Sequence, residues 1–488
     1  MLKRLLVALA AAAILVAGAA IAAAIQPGQA VGQEADDPGG GQRFKGDFGS
    51  GGFGQHQEPP LEVKKMLKEI DPANIEASIA KLVSFGTRNT LSSQTDPNRG
   101  IGAARDWLFQ EFSRYAADSG GRMTVALQSY VQAPSTGIPV PTTITNVVAT
   151  LRGTQAESSN RYYVVSGHYD SRCGATSNAT CDAPGANDDA SGVAAVLELA
   201  RVMSKRSFDA NIVFMAVAGE EQNLYGSRFF ATQARAAGLD IQGMFTNDIV
   251  GSSVGGSGIR DPYTVRLFAE GVPTNETTAE ANTRRSVGGE NDSPARQLAR
   301  FAKEHAENGS TKMTVEMIYR RDRFNRGGDH IPFLEQGYRS AARFTEPNED
   351  FNHQHQDVRV EDGVQIGDLI QFVDFEYTAR VAGVNLATLA ALANGPSMPA
   401  NVRITSNLSY DTDLRWNPNV DPDLAGYEVV WRTTTEPEWT HTIPVGNPEL
   451  IGGLVRVTLE NMSKDNFFFG VRAVDKDGNR SPVVFPRP

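Results

Sequence analysis

The apolar residues between positions 61 and 394 fall into two alternating kinds of segment. Short runs rich in Val, Ile, Met and Phe are typical of buried strands, and longer stretches carry apolar residues at the spacing of a helix, first at Ile75, Ile79 and Leu82. The pattern predicts strands at 162–166, 212–218, 244–246, 313–318 and 341–345, and helices at 192–204, 226–237, 294–307 and 365–393.

This alternation predicts an α/β fold, in which helices cover both faces of a largely parallel sheet. We therefore expect residues 61–394 to form a three-layer α/β/α sandwich around a mixed sheet whose strands are mostly parallel. In such folds ligands bind just beyond the carboxyl ends of the strands.

The first 60 residues follow a different pattern. Lys3 and Arg4 precede an apolar, Ala-rich run from Leu5 to Ile25, which is typical of a secretory signal occupying residues 1–30. The alternative is a membrane anchor, since a run of this length could also span a bilayer. We expect cleavage, which leaves no membrane span and gives a secreted protein, extracellular or periplasmic. Residues 31–60 are rich in Gly, Gln and Asp and predict a disordered leader.

The composition changes again at residues 395–488. Short β-branched and aromatic runs are separated by turns, with no segment of helical spacing, which predicts a small all-β sandwich. Trp416 and Tyr427 are expected in its core. With these aromatic positions, the segment resembles a fibronectin type III domain, a likeness that concerns fold more than function. We expect this domain to space the rest of the protein or to bind a surface polymer.

Charge and cysteine content narrow the classes of function. The net charge of -11 and the pI near 5.3 give no basic surface for a phosphate backbone, so we expect no nucleic-acid partner. The chain has 2 cysteines, Cys173 and Cys181, and in an exported protein we expect them to form a disulfide. The alternatives are two free thiols or half of a metal site, although a second Cys pair is absent from the sequence.

Residues able to bind a metal follow three of the predicted strands. His168, the pair Glu220 and Glu221, and Asp248 each come directly after a strand. Asp188 lies in a turn of small residues that leads into a helix. Taken singly, any one of these residues is compatible with a satisfied polar group, a helix cap or a solvated turn. Together, carboxylates converging on one edge of a sheet would repel each other unless a multivalent cation neutralised them.

His353, in a polar loop after the last predicted strand, completes a candidate ligand set. Mixed imidazole and carboxylate ligands favour zinc over calcium or magnesium, with cobalt or manganese as substitutes. Two Zn²⁺ ions would balance the charges of Asp188, Glu221 and Asp248 together with one hydroxide. We therefore expect two zinc ions per chain.

The ordered motifs carry a family resemblance. Gly-His-Tyr-Asp at 167–170, Asn-Asp-Asp at 187–189, Gly-Glu-Glu at 219–221, Asp248, and His353 with Asp357 resemble the co-catalytic di-zinc aminopeptidases, whose relatives include glutamate carboxypeptidase and glutaminyl cyclase. The resemblance implies that Asp188 bridges the metals, with His168 and Asp248 at one and Glu221 and His353 at the other. His355 is the alternative to His353, which is preferred because its spacing to Asp357 fits the family pattern. It also implies that Glu220 is the general base.

The same resemblance implies supporting roles. Asp170 would orient the imidazole of His168. Asp189 would support the site, with a helix cap as the alternative, and Asp329 would support the pocket, while His330 would be structural. In several relatives a tyrosine that steadies the oxyanion precedes the last histidine, and this sequence has Asn352 there. Asn352, His355 and the zinc itself remain alternatives for that role.

These patterns predict a secreted zinc-dependent hydrolase, and the resemblance implies that it is an exopeptidase that removes N-terminal residues from peptides. A glutaminyl cyclase, which uses one zinc on a similar scaffold, and a carboxypeptidase are alternatives on the same fold. A non-catalytic binding or adhesion protein is a third alternative. It is disfavoured because decay of the site would have erased ligands or the base, and all of these residues are present.

Overall fold

The structure is a computed structural model that describes residues 41–45, 57–446 and 448–488. The predicted signal at 1–30 and much of the predicted leader lie outside these residues. Among the helices that the structure describes, none is both long enough and apolar enough to cross a bilayer.

The α-helices within the described part of the chain are α1 (Leu61–Glu69), α2 (Pro72–Val83), α3 (Ile101–Ala117), α4 (Ala190–Met203), α5 (Glu220–Asn223), α6 (Tyr225–Ala236), α7 (Thr278–Val287), α8 (Pro294–Ala306), α9 (His330–Glu335) and α10 (Phe375–Asn394). Short 3₁₀ turns lie at Gly289–Asn291 and Ile370–Phe372.

The strands of the first part of the fold are β2 (Met123–Gln132), β3 (Thr142–Leu151), β4 (Arg161–His168), β5 (Asn211–Val217), β6 (Asp240–Asn247), β7 (Thr264–Phe268), β8 (Thr314–Ile318) and β9 (Ala341–Thr345). A strand near the N-terminus, β1 (Gln42–Lys45), precedes them. The later strands are β10 (Arg359–Glu361), β11 (Val364–Ile366), β12 (Ala400–Ile404), β13 (Thr412–Asn417), β14 (Leu424–Thr433), β15 (His441–Gly446), β16 (Leu450–Ile451), β17 (Leu454–Glu460) and β18 (Phe467–Asp475).

Strands β2 to β9 form one mixed sheet in the order β2-β3-β5-β4-β6-β9-β7-β8. Its centre is parallel, since β5 pairs with β4, β4 with β6, and β6 with β9 in the same direction. Antiparallel pairs lie further out, between β2 and β3, β3 and β5, and β9 and β7. The parallel centre brings the carboxyl ends of β4, β5 and β6 to one edge of the sheet.

Helices cover both faces of this sheet, as the alternation of side chains along β5 shows. Ile212, Phe214 and Ala216 pack into one buried apolar cluster with residues of α2, α3, α4, α8 and α10. Val213 and Met215 enter a second cluster with residues of α6 and α9. Side chains of a strand point alternately to its two faces, so each cluster lies on one face. The expected layers of helix, sheet and helix are therefore present.

Several helices begin at a capping side chain. The Asp374 carboxylate accepts a hydrogen bond from Tyr377 N at the start of α10, and Ser293 accepts one from Arg296 N at α8. Thr277 and Glu280 form a reciprocal capping box at α7. Each cap satisfies a backbone N–H that has no partner within its helix and stabilises it by about 1 kcal/mol.

One predicted helix begins later than expected. The pattern predicts a helix over 365–393, but residues 359–366 form the hairpin of β10 and β11, and α10 begins only at Phe375. Within the predicted range, Gly367 adopts a positive φ angle of 117°, which a helix does not accommodate. The predicted helix therefore begins ten residues before the observed start of α10 at Phe375.

Residues 400–475 form two antiparallel sheets around a common core. One contains β12, β13, β16 and β17, and the other contains β14, β15 and β18. Trp416 and Tyr427, expected in the core, are 0% and 3% exposed, and their rings meet edge to face with centroids 5.2 Å apart. We name the segment 400–488 the β module.

Strand β1 corrects the expectation of a disordered leader at four residues. Gln42–Lys45 pair in parallel with residues 457–460 of β17. Arg43 Nε also lies 2.6 Å from the Glu460 carboxylate. The segment Gln-Arg-Phe-Lys is too short and too polar to predict a strand alone, and it becomes one because the edge of β17 offers unpaired backbone groups.

The β module packs against α8 through buried polar contacts. Arg432 Nη2 lies 2.6 Å from Asp292 Oδ2, just before α8. Arg472 Nη1 lies 3.0 Å from Glu304 Oε2 within α8. Trp439 Nε1 donates to Gln297 Oε1 at 2.9 Å. Because these groups are withdrawn from water, each depends on its partner across the contact.

We predict that Arg432→Ala destabilises the protein by about 3 kcal/mol, because the variant leaves the buried Asp292 carboxylate with one fewer cation. The measurement is the midpoint of thermal unfolding. Arg403→Ala, which removes an exposed arginine of the same module, is the control and should leave the midpoint unchanged. Equal midpoints for the two variants would contradict the importance of this contact.

Candidate metal centre

The parallel centre of the sheet positions the candidate ligands. His168 is the last residue of β4, Asp248 follows β6 directly, and Glu221 lies in α5 shortly after β5. Asp188 precedes the first turn of α4. Because β5, β4 and β6 are neighbours that run in the same direction, these side chains converge at one edge of the sheet.

Asp188 lies at the middle of the cluster, between two histidines. Its Oδ1 is 3.0 Å from His168 Nε2, and its Oδ2 is 2.8 Å from His355 Nε2. Asp248 Oδ1 lies 3.7 Å from His168 Nε2, and Glu221 Oε2 lies 3.2 Å from His355 Nε2. Two groups with the spacing of a metal site result: His168, Asp188 and Asp248, and Asp188, Glu221 and His355. The two groups share Asp188.

The expectation for His353 is corrected, because the structure brings His355 to the cluster instead. The His353 ring stacks on Phe372 with centroids 3.7 Å apart, and its Nδ1 lies 2.5 Å from Asp350 Oδ2. His355 has a positive φ of 55°. This backbone conformation directs the His355 side chain towards Asp188. The spacing between His353 and Asp357, on which the prediction was based, does not reveal this conformation.

His168, Asp188 and Asp248 are buried and Glu221 and His355 are half-buried, and their charges act strongly on one another. Although burial alone would raise it, His355 and His168 hold the pKa of Asp188 well below its ordinary value. Burial and the nearby Asp188 raise the pKa of Glu221. Although burial opposes a positive charge, Glu221 and Asp188 raise the pKa of His355 to about 10. The field at this edge of the sheet is therefore strongly negative and attracts cations.

The residues fit a divalent metal of the zinc type. Their donors are imidazole nitrogens and carboxylate oxygens, the mixed set that zinc accepts readily. Glu221 Oε1 is buried and has no hydrogen-bond partner within the part of the chain that the structure describes. A bound cation would satisfy such an oxygen, which otherwise carries the full cost of desolvation.

Glu220 lies beside this cluster but belongs to neither group of candidate ligands. Burial, with Asp248, Asp329 and Glu221 nearby, raises the pKa of its carboxyl well above the ordinary value. Its backbone N–H donates to Asp170 Oδ1 at 3.3 Å, and that of Glu221 donates to Asp170 Oδ2 at 3.1 Å. The start of α5 is thus fixed by one buried carboxylate.

Asp170 therefore acts differently from the expectation. His168 Nδ1 lies 3.1 Å from the backbone oxygen of Asp170 and 3.7 Å from its carboxylate. The carbonyl is the closer partner of the imidazole, and the carboxylate instead binds the two backbone N–H groups of α5. One residue thus supports His168 through its backbone and the adjacent glutamates through its side chain.

Asp189 combines the two roles that the sequence left open. Its Oδ1 accepts from Gly192 N at 2.9 Å and caps α4, while its Oδ2 accepts from His168 N at 2.9 Å. The peptide bond between Asp188 and Asp189 is cis. Asp189 therefore ties the start of α4 to the end of β4.

Asp329 and His330 are buried and belong to neither group of candidate ligands. Asp329 is buried, and burial raises the pKa of its carboxyl to about 7. His330 Nε2 lies 2.8 Å from the backbone oxygen of Arg321, outside both candidate groups, as expected of a structural residue.

Asn352, considered for stabilisation of the oxyanion, is exposed, and its backbone N–H donates a hydrogen bond to Asp350. Gln354 is the nearer amide, donating to Asp188 Oδ2 at 3.2 Å.

The disulfide prediction is confirmed, since Cys173 and Cys181 are bonded with their Cα atoms 6.5 Å apart. The loop that they close begins shortly after His168. Gly174 N within it donates to Asp357 Oδ1 at 3.1 Å, so Asp357 joins the disulfide loop to the loop that carries His355.

Arg343 is a residue of the site that the sequence reasoning missed. It is fully buried in β9, and its Nη2 lies 2.8 Å from Asp248 Oδ1. Although burial alone would raise it, Arg343 and His168 lower the pKa of Asp248. The signal was present, because an arginine within the otherwise uncharged strand 341–345 needs a buried carboxylate as a partner.

Two further supports lie around Asp188. The Asp368 carboxylate accepts hydrogen bonds from Asn187 N at 2.8 Å and Asp188 N at 2.7 Å. The fully buried Arg88 donates to the carbonyls of Tyr169, Pro184 and Gly185. These contacts join segments distant in sequence, which patterns along the chain do not predict.

A cavity of about 280 Å³ opens onto the cluster. It is lined by Asp188, Glu220, Glu221, Asp248 and His355, together with Arg323, Arg326 and Gln354. Cavities of about 690 and 780 Å³ elsewhere in the described chain contain none of these residues. Chemistry rather than volume therefore identifies the candidate site.

Imidazole and carboxylate groups clustered at the carboxyl ends of parallel strands, with an uncommitted glutamate beside them, define a centre suited to metal-assisted hydrolysis.

Comparison with known proteins identifies the family. The model for Peptidase family M28 matches residues 146–361. A relative from Leptosphaeria maculans, named "Probable zinc metalloprotease", is 54% identical over 431 residues, which cover 88% of this chain and 98% of the relative. The chain belongs to Peptidase family M28 and is a zinc metallopeptidase, so peptides are its substrates.

Two solved structures with low sequence identity are also similar. The LapA aminopeptidase of Legionella pneumophila is 18% identical, with a TM-score of 0.49 over 70% of this chain and 75% of that chain. The glutaminyl cyclase of Fimbriiglobus ruber is 19% identical, with a TM-score of 0.48 over 69% of this chain and 97% of that chain.

We predict that His355→Ala weakens zinc binding by about a hundredfold or more, because loss of a group that merely supports a ligand already costs about 10–100-fold. His353→Ala is the matched control from the same loop and should retain zinc. Zinc per chain is measured by elemental analysis after dialysis against a graded chelator. Zinc loss from the His353 variant alone would make His353 the ligand.

Proposed function

We propose that the protein is an exopeptidase that uses two zinc ions to remove N-terminal residues from peptides. The observation that carries this proposal is the position of Asp188, whose two carboxylate oxygens each lie within 3.0 Å of a different histidine. A carboxylate held in this way can bridge two metals. A one-zinc cyclase would not require a bridging carboxylate.

The two zinc ions would be held by the residues that the structure groups together. His168, Asp188 and Asp248 would bind one, and Asp188, Glu221 and His355 would bind the other. When bound, zinc polarises the scissile carbonyl and lowers the pKa of water to about 7. Asp170, Asp189 and Asp368 would hold the backbone of these ligands in place.

Glu220 would transfer the proton. It lines the cavity, its backbone is fixed by Asp170, and burial raises the pKa of its carboxyl. Such a carboxylate can accept a proton from the attacking water and then donate it to the leaving amine. Glu221 is committed to the ligand group with His355, so the two adjacent glutamates can have separate roles.

The cavity volume of about 280 Å³ lies close to the lower end of the roughly 300–1,000 Å³ typical of ligand sites. Exopeptidase action is supported by the resemblance to the di-zinc aminopeptidases. The preference for N-terminal over C-terminal residues rests on the resemblance to the di-zinc aminopeptidases.

We also propose that the protein is exported and that its β module is a fibronectin type III domain. Export is supported by the apolar run at residues 5–25 and by the disulfide, which persists in an oxidising compartment. The two antiparallel sheets around Trp416 support the assignment of the β module.

We predict that Glu220→Gln lowers kcat by about 10²–10⁴-fold while zinc content is retained, because the variant removes the proton acceptor but neither ligand group. Glu361→Gln, in the exposed hairpin of β10 and β11, is the control and should keep full activity. Full activity of the Glu220 variant would exclude the assigned base, and loss of zinc would make Glu220 a ligand.

We predict that peptides with a free N-terminus are cleaved and that the same peptides with an acetylated N-terminus are not. Amidation of the C-terminus should have little effect on cleavage. Chelation should abolish activity, and Zn²⁺ should restore it. Products are measured by mass spectrometry. Cleavage that requires a free C-terminus and tolerates acetylation would instead indicate a carboxypeptidase.

A further inference from the structure

The cavity beside the candidate metal centre is lined by two arginines that the proposed reaction does not use. Arg323 and Arg326 lie in the loop between β8 and α9, and both contribute to the lining of the cavity. The same cavity contains Glu220 and Asp248. A group bound by these arginines would therefore lie close to the bond that is cleaved.

Arg323 is buried with part of its guanidinium unpaired. Its side chain is 8% exposed. Nε donates to Asp322 Oδ1 at 3.2 Å, and Nη2 donates to Gly327 O at 3.3 Å. Nη1 is buried without a hydrogen-bond partner among the described residues. An unmet donor on a buried cation costs free energy, which an anion bound beside it would offset.

Arg326 is more accessible, and its one carboxylate partner is shared. Its side chain is 26% exposed, and Nη1 lies 3.3 Å from Glu349 Oε2. Glu349 Oε1 also lies 2.9 Å from Arg266 Nη2. A single carboxylate therefore faces two guanidinium groups, and Arg326 keeps positive charge available to the cavity.

The Asp322 carboxylate is likewise shared between two arginines. Asp322, the partner of Arg323, also lies 3.6 Å from Arg343 Nη1, and Arg343 is paired with Asp248. Four guanidinium groups, those of Arg266, Arg323, Arg326 and Arg343, thus share three carboxylate partners, Asp322, Glu349 and Asp248. Each carboxylate partner of Arg323 and Arg326 is therefore also held by a second arginine.

We propose that Arg323 and Arg326 bind a carboxylate of the substrate and make the enzyme prefer peptides that carry one within about one residue of the scissile bond. This inference rests on the proposed function. Guanidinium groups match the geometry of carboxylates, and both arginines line the same cavity as Glu220 and Asp248, which sets the distance from the scissile bond. The carboxylate comes either from an acidic N-terminal side chain or from the C-terminus of a short peptide.

The test compares substrates that differ only in this charge, using the zinc-loaded full chain. The 4-nitroanilides of glutamate and glutamine test the side chain, and alanyl-alanine and its C-terminal amide test the C-terminus. In one of the pairs, we expect the charged member to have a kcat/KM about tenfold to a hundredfold higher, the worth of a charge-assisted hydrogen bond. Equal values in both pairs would overturn the inference.

The variants Arg326→Gln and Arg323→Gln should remove most of this preference while sparing the uncharged substrates. Arg320→Gln, an exposed arginine of the same loop that does not line the cavity, is the control and should keep the preference. If Arg323→Gln does not fold, the variant of the more exposed Arg326 still tests whether the arginines cause the preference. Slowing of charged and uncharged substrates by the same factor in both arginine variants would contradict the inference, because it would indicate a role in the reaction itself.

A binding measurement separates this inference from the proposed function. If no peptide is hydrolysed, the proposed function fails, and calorimetry with glutamate and glutamine, and with alanyl-alanine and its amide, still tests the arginines. In one of the two pairs, the charged member should bind the zinc-loaded protein at least about tenfold more tightly, and Arg326→Gln should reduce that ratio. A ratio that is the same in the variant and the wild type would assign the carboxylate to the metal and refute the role of the arginines.

Discussion

The architecture of this site is governed by the repulsion among four acidic side chains held close together. Asp188, Glu220, Glu221 and Asp248 meet where three parallel strands end. Because Asp188 and Asp248 are buried and the two glutamates are half-buried, little water is left to screen their charges. The protein offsets this repulsion with histidines on both sides of Asp188 and with Arg343 on Asp248. Backbone N–H groups meanwhile bind the neighbouring carboxylates Asp170 and Asp368. A divalent cation bound here would complete the balance and would thereby stabilise the arrangement of the acidic side chains as well as supply chemistry.

The features that follow from periodicity could be predicted from the sequence. Strands β4, β5, β6 and β9 could be predicted because short apolar runs between helical segments are typical of buried strands. The ends of three of these strands correctly placed His168, Glu221 and Asp248 on one edge of the sheet. The histidine in the loop could not be located this way. His353 and His355 differ by two residues, and only the positive φ at His355 and the stacking of His353 on Phe372 separate them. Loop conformation of this kind has no periodic signal.

The residues that were missed act through partners far away in the chain. Arg88 holds the turns at Pro184 and Gly185, and Asp368 holds Asn187 and Asp188. Each pairing is fixed by the completed fold, not by the neighbours of either residue in sequence. The late start of α10 is a local error of another kind, since Gly367 with its positive φ interrupts the predicted range 365–393. In both cases the spacing of apolar residues along the chain does not predict the feature, because that feature depends on long-range contacts or on local backbone conformation.

Strand β1 has a consequence for the order in which the molecule is completed. It joins residues as far apart as Arg43 and Glu460, which are separated by 417 positions. During synthesis, residues 42–45 therefore cannot form β1 until β17 has been made. Until β1 forms, the edge at residues 457–460 of β17 is unpaired. Any processing that removed the chain up to residue 45 would make that opening permanent. The mature molecule would then present unpaired backbone groups able to accept a strand from another polypeptide.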